Sequence, residues 1–362
     1  MAPTEPSTGS SKGPSARRGP SVEVDVAGVP VRISSPDRPY WSDGQRTITK
    51  LDVCEYYASV ARALLDAVRA RPTTLQRFPR GVLVDGVPQE AFYNKHLPKG
   101  APDFVGRVTV TFPSGRTGVQ VCPGNEATLV WAANLGCVTF HPWPARVPDV
   151  DHPDELRLDL DPHVSLPFSA CVEVAEAVRS ILVESGLRAF VKTSGGRGLH
   201  VFAPIVPEWD FIAARHAAIA VAREAERRLP DLVTTSWWKE DRGRRVFIDF
   251  NQMCRDRTMA SAWSLRPRPG APVSTPVPWA ELSRVDPGDF TIDNVPALLG
   301  ERGDPWAGMA EEPGNLSPLL ALWDADVDRG LGEMPYPPDH PKMPGEPPRV
   351  QPSRRASAER SD

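Results

Sequence analysis

Cysteine is scarce and scattered. The five residues, Cys54, Cys122, Cys137, Cys171 and Cys254, stand far apart. With no Cys-x-x-Cys and no Cys/His cluster at zinc spacing, they exclude a disulfide framework and a structural zinc site of the usual kinds. They read as reduced, mostly buried thiols. No apolar run approaches the length of a membrane span, and the N-terminus lacks the apolar core of a signal peptide. A soluble, cytoplasmic protein with no membrane partner is therefore expected. Positive charge is not in excess either, since 42 Lys and Arg against 46 Asp and Glu leave a net charge of -4. Any nucleic-acid contact has to come from local basic clusters. No internal repeat is evident. What is present is enough apolar residue, 40% of 362, to bury a real core in one large domain or two ordinary ones.

The ends read differently from the middle. Residues 1–20 are rich in Ser, Pro and Gly, and residues 333–362 carry recurrent prolines. Neither segment can bury enough apolar surface to offset chain entropy, and both are expected to be disordered. Residues 21–332 form the folded part. Partial alternation over 22–33 predicts paired strands, followed by a turn-rich loop over 34–45. Thr49 is placed to cap a helix running to about Arg69. A hairpin is predicted from 107–112 and 118–121 around a turn at 113–116. A short helix over 127–135 leads into a strand over 136–140 that ends at His141. Further on, a helix over 169–185 closes at Gly186, strands follow at 189–192 and 202–205, a second long helix covers 211–228, and a last strand covers 245–250. Strand, helix, strand, helix, strand in this order indicates an α/β or α+β sheet with carboxylates at strand ends.

Four stretches carry candidate chemistry. In Leu156-Arg-Leu-Asp-Leu-Asp-Pro162 the leucines alternate with Arg157, Asp159 and Asp161, so a strand turns both carboxylates to one face and the leucines to a core. Carboxylates roughly 6 to 7 Å apart along a strand repel unless a cation lies between them, and hard Mg²⁺ or Mn²⁺ ions favour such oxygens. Alone, such a pattern is more often a strand edge with two solvated aspartates. The second stretch is Lys192-Thr-Ser-Gly-Gly-Arg-Gly-Leu-His200. Its glycines, Gly195 and Gly196 among them, let backbone approach a ligand, and amides beside Ser194 and Arg197 form a nest for phosphate oxygens. A tight turn with a surface arginine is the plainer reading, and His200 is either a packed core residue or a phosphate donor. The third stretch, 245–252, sets Asp249 between Ile248 and Phe250, where a carboxylate is costly unless paired or metal-bound. Basic residues around it, from Lys239 to Arg257, are otherwise a solvated face. The fourth is the Pro-rich 264–275, in which Arg266 and Arg268 ride on an extended arm without ladder bonds or on a surface linker. Phe92, Tyr93 and Lys95 offer rings and a charge for bases and phosphate, though core packing accounts for the rings almost as well.

Together, in this order, these residues resemble the polymerase domain of bacterial end-joining ligase D, in the archaeo-eukaryotic primase superfamily, and especially its stand-alone actinobacterial relatives of the Prim-PolC type. The resemblance covers about 31–299 and implies a primase-like catalytic core around an RRM-like sheet. It implies that Asp159, Asp161 and Asp249 hold two Mn²⁺ or Mg²⁺ ions. Ser194, Gly195, Gly196, Arg197 and His200 then grip an incoming triphosphate with Gln252 and Arg266, while His141 lies near the sugar and His200. Arg38 and Lys50 fall on the family's pocket for a DNA 5′-phosphate, and Phe92, Tyr93 and Lys95 on its template-stacking positions. Departures from the pattern are Arg197 and Arg38 where Lys is usual, a forked donor in place of a point charge, and Gln252-Met253 where an Asn is common. A Lys-x-Asp-Gly ligase nucleophile is absent, so nick sealing is not expected.

The expected activity is that of a DNA-directed primase-polymerase, a metal-dependent nucleotidyltransferase adding NTPs, ribonucleotides preferred, to primer 3′-hydroxyls in short 5′-phosphorylated gaps or at DNA ends during repair. It would act as a monomer in the bacterial cytoplasm near the nucleoid, with a separate ligase or Ku-like protein as a possible partner. The rivals are a two-metal phosphodiesterase or nuclease, which has no need of a triphosphate nest, and a non-catalytic DNA-end binder, which has no need of three retained aspartates.

Overall fold

The computed structural model describes residues 19–112 and 115–336. Residues 1–18 of the expected N-terminal tail, Pro113 and Ser114 of the hairpin turn, and the Pro-rich tail from 337 on lie outside the described residues.

Strands Ser21–Val26 and Val29–Ser34 pair as an antiparallel hairpin, as their alternation predicts. The loop expected over 34–45 instead contains strand Pro39–Ser42, paired with Thr47–Thr49. Its Tyr40 and Trp41 are buried, and the Trp41 indole donates to the Arg268 carbonyl at 2.9 Å. A partner more than two hundred residues away thus makes a strand from a turn-rich sequence. Thr49 caps helix α1, Lys50–Ser59, through a capping box with Asp52, and α2, Ala61–Val68, continues from it. The single helix expected here is bent at Val60, where the Ser59 hydroxyl donates to the Tyr56 carbonyl at 2.7 Å and competes with the helix's own ladder. Helix α3, Glu126–Asn134, is capped by Asn125. These helices pack together against a five-stranded sheet of Cys137–Pro142, Thr73–Arg77, Thr117–Val121, Arg107–Thr111 and Phe92–Asn94.

The second half holds a six-stranded sheet in the order Val233–Thr234, Val246–Asp249, Glu155–Pro162, Leu199–Pro204, Phe190–Thr193, Pro276–Val277, antiparallel except at the first pair. Helices α4, Phe168–Glu184, and α5, Phe211–Arg228, cover one face. Leu156, Leu158 and Leu160 point into this layer and are 1%, 1% and 0% exposed, so the period-2 pattern fixes which face is core and leaves the other for polar side chains. Helix α6, Val295–Arg302, and α7, Ser317–Asp328, finish the fold, α7 packing on α5. The Pro-rich 264–275 is neither free arm nor linker. Ser264–Leu265 and Val273–Ser274 form a buried two-residue ladder tied to the first half by the Thr139 hydroxyl and the Leu265 carbonyl at 2.7 Å. The five cysteines are free and buried, and among the described residues no helix is long and apolar enough to cross a membrane.

Candidate active site

One register row crosses four strands of the six-stranded sheet. Lys192 faces His200, His200 faces Asp159, and Asp159 faces Asp249. Since a strand's side chains alternate, these groups share the face opposite the helices, with Asp161 two residues along the same side. His200 Nε2 lies 3.4 Å from Asp159 Oδ1. Asp249 closes its strand and caps the 3₁₀ turn Phe250–Met253, accepting the Asn251 amide at 2.9 Å on Oδ1 and the Gln252 side-chain amide at 2.9 Å on Oδ2.

The carboxylates have little to neutralise them. No Lys or Arg among the described residues forms an ion pair with Asp159, Asp161 or Asp249. Burial first, then repulsion from Asp161 and Asp249, push the Asp159 carboxyl up to about 8, although its side chain keeps 27% of its exposure. Burial also raises Asp249. Among the described residues no three His, Cys, Asp or Glu groups already close into a coordination shell. Like charges without a cation do not draw together by themselves, and this donor set of carboxylate oxygens on one face fits hard divalent ions.

A pH consequence follows. An acid held protonated by the fold, with a pKa above its unfolded value near 3.9, makes folding take up a proton. Its contribution is therefore present at low pH and lost as pH rises towards 8. His141 and His200, both lowered by desolvation, act in the opposite sense, so the comparison is with Asp159→Asn. In EDTA, the Tm of the parent relative to Asp159→Asn should fall from pH 5 to 8. Mn²⁺ should restore more of it at pH 8 than at pH 6, because proton and cation compete for the same oxygens. A difference that is flat with pH and indifferent to Mn²⁺ would count against the assignment.

Beside the row lies the glycine loop. Gly195 has φ +67° and packs beneath Arg266, and a Cβ there would run into the Arg266 stem. Gly198 passes so close to the central strand that a Cβ would overlap the Leu160 carbonyl oxygen. The Ser194 hydroxyl accepts the Gly198 amide at 3.2 Å and shapes the turn. Arg266 is half-buried, and Arg268 lies over Gly196, its guanidinium 3.1 Å from where a Cβ would stand. Arg197 is exposed at the tip. His141 comes from the other sheet, where its Nε2 lies 3.2 Å from Gln76 Oε1 and its ring 5.9 Å from that of Tyr93. Burial, with Arg266 and Lys192 nearby, lowers it to about 3, so it is neutral.

The remaining candidates stand elsewhere. Phe92 and Tyr93 are 56% and 55% exposed, so core packing does not account for them, and Lys95 is exposed alongside. At the N-terminus of α1, Lys50 donates from Nζ to the Ser34 carbonyl at 2.6 Å. The Arg38 carbonyl accepts the Lys50 amide at 2.8 Å, and Arg38 Nη1 reaches the Pro79 carbonyl at 2.7 Å. Burial lowers Lys50 to about 8.

Lys192 was not among the expected site residues. It is 0% exposed, with Nζ 2.6 Å from His200 Nδ1 and 2.5 Å from Ser274 Oγ. The Ser274 proton is committed to the Thr193 carbonyl at 2.7 Å, so Oγ accepts from the lysine. With the lysine as donor to both, His200 Nδ1 is the acceptor and the ring proton lies on Nε2, towards Asp159. A lysine inside the apolar strand pattern Phe190-Val-Lys-Thr193, just before the glycine loop, was the available signal.

The sheet that carries these carboxylates and the glycine-lined nest beside them match the primase-polymerases, a class of metal-dependent nucleotidyltransferases. The match to known proteins is specific. A family model described as the LigD primase-polymerase domain covers residues 49–306. The multifunctional non-homologous end joining protein LigD of Pseudomonas aeruginosa is 31% identical over 298 residues, 82% of this chain and 34% of that protein. Its namesake in Mycolicibacterium smegmatis is 31% identical over 82% of this chain and 36% of its own length. The polymerase domain of Mycobacterium tuberculosis ligase D, solved in complex with DNA, aligns with a TM-score of 0.71 at 31% identity, covering 78% of this chain and 99% of that one. The chain belongs to the LigD primase-polymerase domain family. It spans about a third of the length of the curated relatives it matches.

Proposed function

We propose that this chain extends primer 3′-hydroxyls with NTPs, ribonucleotides preferred over dNTPs, in short 5′-phosphorylated gaps or at DNA ends during repair. The observation that carries the reading is the juxtaposition of the Asp159, Asp161 and Asp249 face with the Ser194 to His200 nest under Arg266 and Arg268. A nuclease needs the carboxylates but not a triphosphate cradle, and an end binder needs neither. Asp159, Asp161 and Asp249 would hold two Mn²⁺ or Mg²⁺ ions, which when bound lower the pKa of the attacking hydroxyl and balance charge on the leaving pyrophosphate. Ser194, Arg197, His200, Arg266 and the glycine amides hold the triphosphate, His200 donating from Nε2. Gln252 fixes Asp249 through its side-chain amide, and neutral His141 beside Tyr93 bounds the sugar side. Positioning for in-line attack is the protein's main contribution.

Phe92 and Tyr93 offer exposed rings for stacking on template bases, with Lys95 for phosphate. Arg38 and Lys50 join the N-terminus of α1 in a pocket for the 5′-phosphate. The chain would act as a monomer in the cytoplasm near the nucleoid, handing its product to a separate ligase, with a Ku-like protein as a further candidate partner. Extension of a labelled primer across a one-nucleotide gap, with NTPs or dNTPs in Mn²⁺ and an EDTA control, tests the reading. Template-directed, chelator-sensitive addition faster with NTPs is expected, whereas primer shortening would establish the nuclease. In the same assay Lys50→Ala should remove the preference for a 5′-phosphorylated gap over an unphosphorylated one. A preference that survives would move the pocket elsewhere.

A further inference from the structure

The described chain continues beyond the family-matched residues and folds back onto α5. The Gly332 carbonyl accepts from Arg223 Nη2 at 2.6 Å. The next four residues converge on Arg215, a buried arginine on α5, 4% exposed. Its Nη1 pairs with Glu333 at 2.8 Å, and its Nη2 donates to the carbonyls of Met334 at 2.8 Å and Pro335 at 3.2 Å. The guanidinium sits 5.6 Å from the Phe250 ring centroid and 5.5 Å from that of Tyr336. His216, one residue on, pairs with Glu333 as well.

A further donor of Arg215 points towards the catalytic sheet. Nε donates to Asn251 Oδ1 at 2.9 Å, and the Asn251 side-chain amide reaches the Pro335 carbonyl at 3.3 Å. Asn251 is the residue whose backbone amide holds Asp249 Oδ1 at 2.9 Å. A continuous hydrogen-bonded path therefore runs from residues 333–335 through Arg215 and Asn251 to an aspartate of the acidic row. The turn 250–253 is one short 3₁₀ element, and such turns have weak ladders of their own. Its position, and with it the direction of the Asp249 carboxylate, is set by what grips Asn251.

We propose that Arg215 and the segment 333–336 are positioning elements for the acidic site, fixing Asp249 through Asn251 and so setting the affinity of the carboxylates for a divalent cation. The inference rests on the reading of Asp249 as a metal ligand. All five guanidinium donors sit on one forked plane, which lysine cannot reproduce. Groups that orient a metal-binding carboxylate without touching the ion typically contribute 10- to 100-fold in metal affinity.

The test uses the full chain and Mn²⁺ alone. Loss of the free Mn²⁺ paramagnetic resonance signal on titration reports binding without turnover, and primer extension against Mn²⁺ concentration gives a second half-saturation value. Arg215→Lys should weaken Mn²⁺ binding about 10-fold, and Glu333→Ala with Tyr336→Ala, which strips the ion pair and the ring from the far side of Arg215, about 3-fold. Affinity for gapped DNA in EDTA should stay that of the parent. The double variant keeps the proposal testable if Arg215→Lys misfolds. Parent-like Mn²⁺ titration in the folded double variant and in any folded Arg215→Lys overturns the positioning role. Asp249→Asn separates the two levels. If it binds Mn²⁺ as the parent does, the metal reading itself fails and the positioning role with it. If it loses Mn²⁺ while the other variants do not, only the positioning role fails.

Discussion

Asp159→Asn together with Asp161→Asn is expected to lower nucleotide addition by about 1000-fold or more, the scale lost when charge stabilisation worth several kcal/mol leaves a transition state. Gapped DNA should bind at least as tightly as before. Both substitutions keep shape and remove charge, so the buried leucine face, Leu156, Leu158 and Leu160, is untouched. The Asp159 carboxyl, pushed up to about 8 in the metal-free state, is a site of stored repulsion. Neutralising it should hold or raise the Tm in EDTA and abolish stabilisation by Mn²⁺. The measurements are single-turnover extension, DNA affinity in EDTA, and thermal unfolding with and without Mn²⁺. Retained extension would remove the aspartates from the chemistry. Lost DNA binding in a folded variant would mean that they serve the polynucleotide and not a cation.

Lys192→Met is the second large effect. The lysine is buried, burial and the charge of Arg266 lower its pKa well below the ordinary value, and its two polar partners are His200 and Ser274. Methionine fills nearly the same volume and removes the desolvation cost of the amine, which offsets the hydrogen bonds left unmade at His200 and Ser274. His200 then has no donor fixing the proton on Nε2, and a hydrogen bond to a charged group is worth about 1.5 to 3 kcal/mol. The expected loss in kcat/KM for the nucleotide is about 10- to 100-fold, carried mainly by KM, with little change in Tm. Arginine in place of Lys192 should not rescue, since the enclosed space between His200 and Ser274 does not admit a planar fork. Unchanged kcat/KM in Lys192→Met would reduce the lysine to a packing role.

The sequence by itself determined the local facts. Period-2 alternation over 156–162 specified which side of the strand is buried, because a strand leaves its side chains no other choice of face. Thr49 specified a helix start because its side chain satisfies an amide within three residues. Glycines at 195 and 198 announced a close-packed loop, since a Cβ would meet the Arg266 stem at one, where φ is also positive, and the Leu160 carbonyl at the other. Order and spacing of the motifs were enough to bring the family into view. The tertiary structure decided everything that depends on partners distant in the chain. Pro39–Ser42 became a strand because Trp41 found the Arg268 carbonyl. Arg266 was lifted from a proline-rich stretch into the nest by a two-residue ladder. Lys192, one more basic residue in the sequence, became a buried partner of Ser274, 82 positions further on. Arg215 reached Asn251 and the segment 333–335 only because α5 lies between them. Hydrogen-bond geometry and desolvation act over a few ångströms, and residues 30 to 230 positions apart come that close only after the sheets have packed.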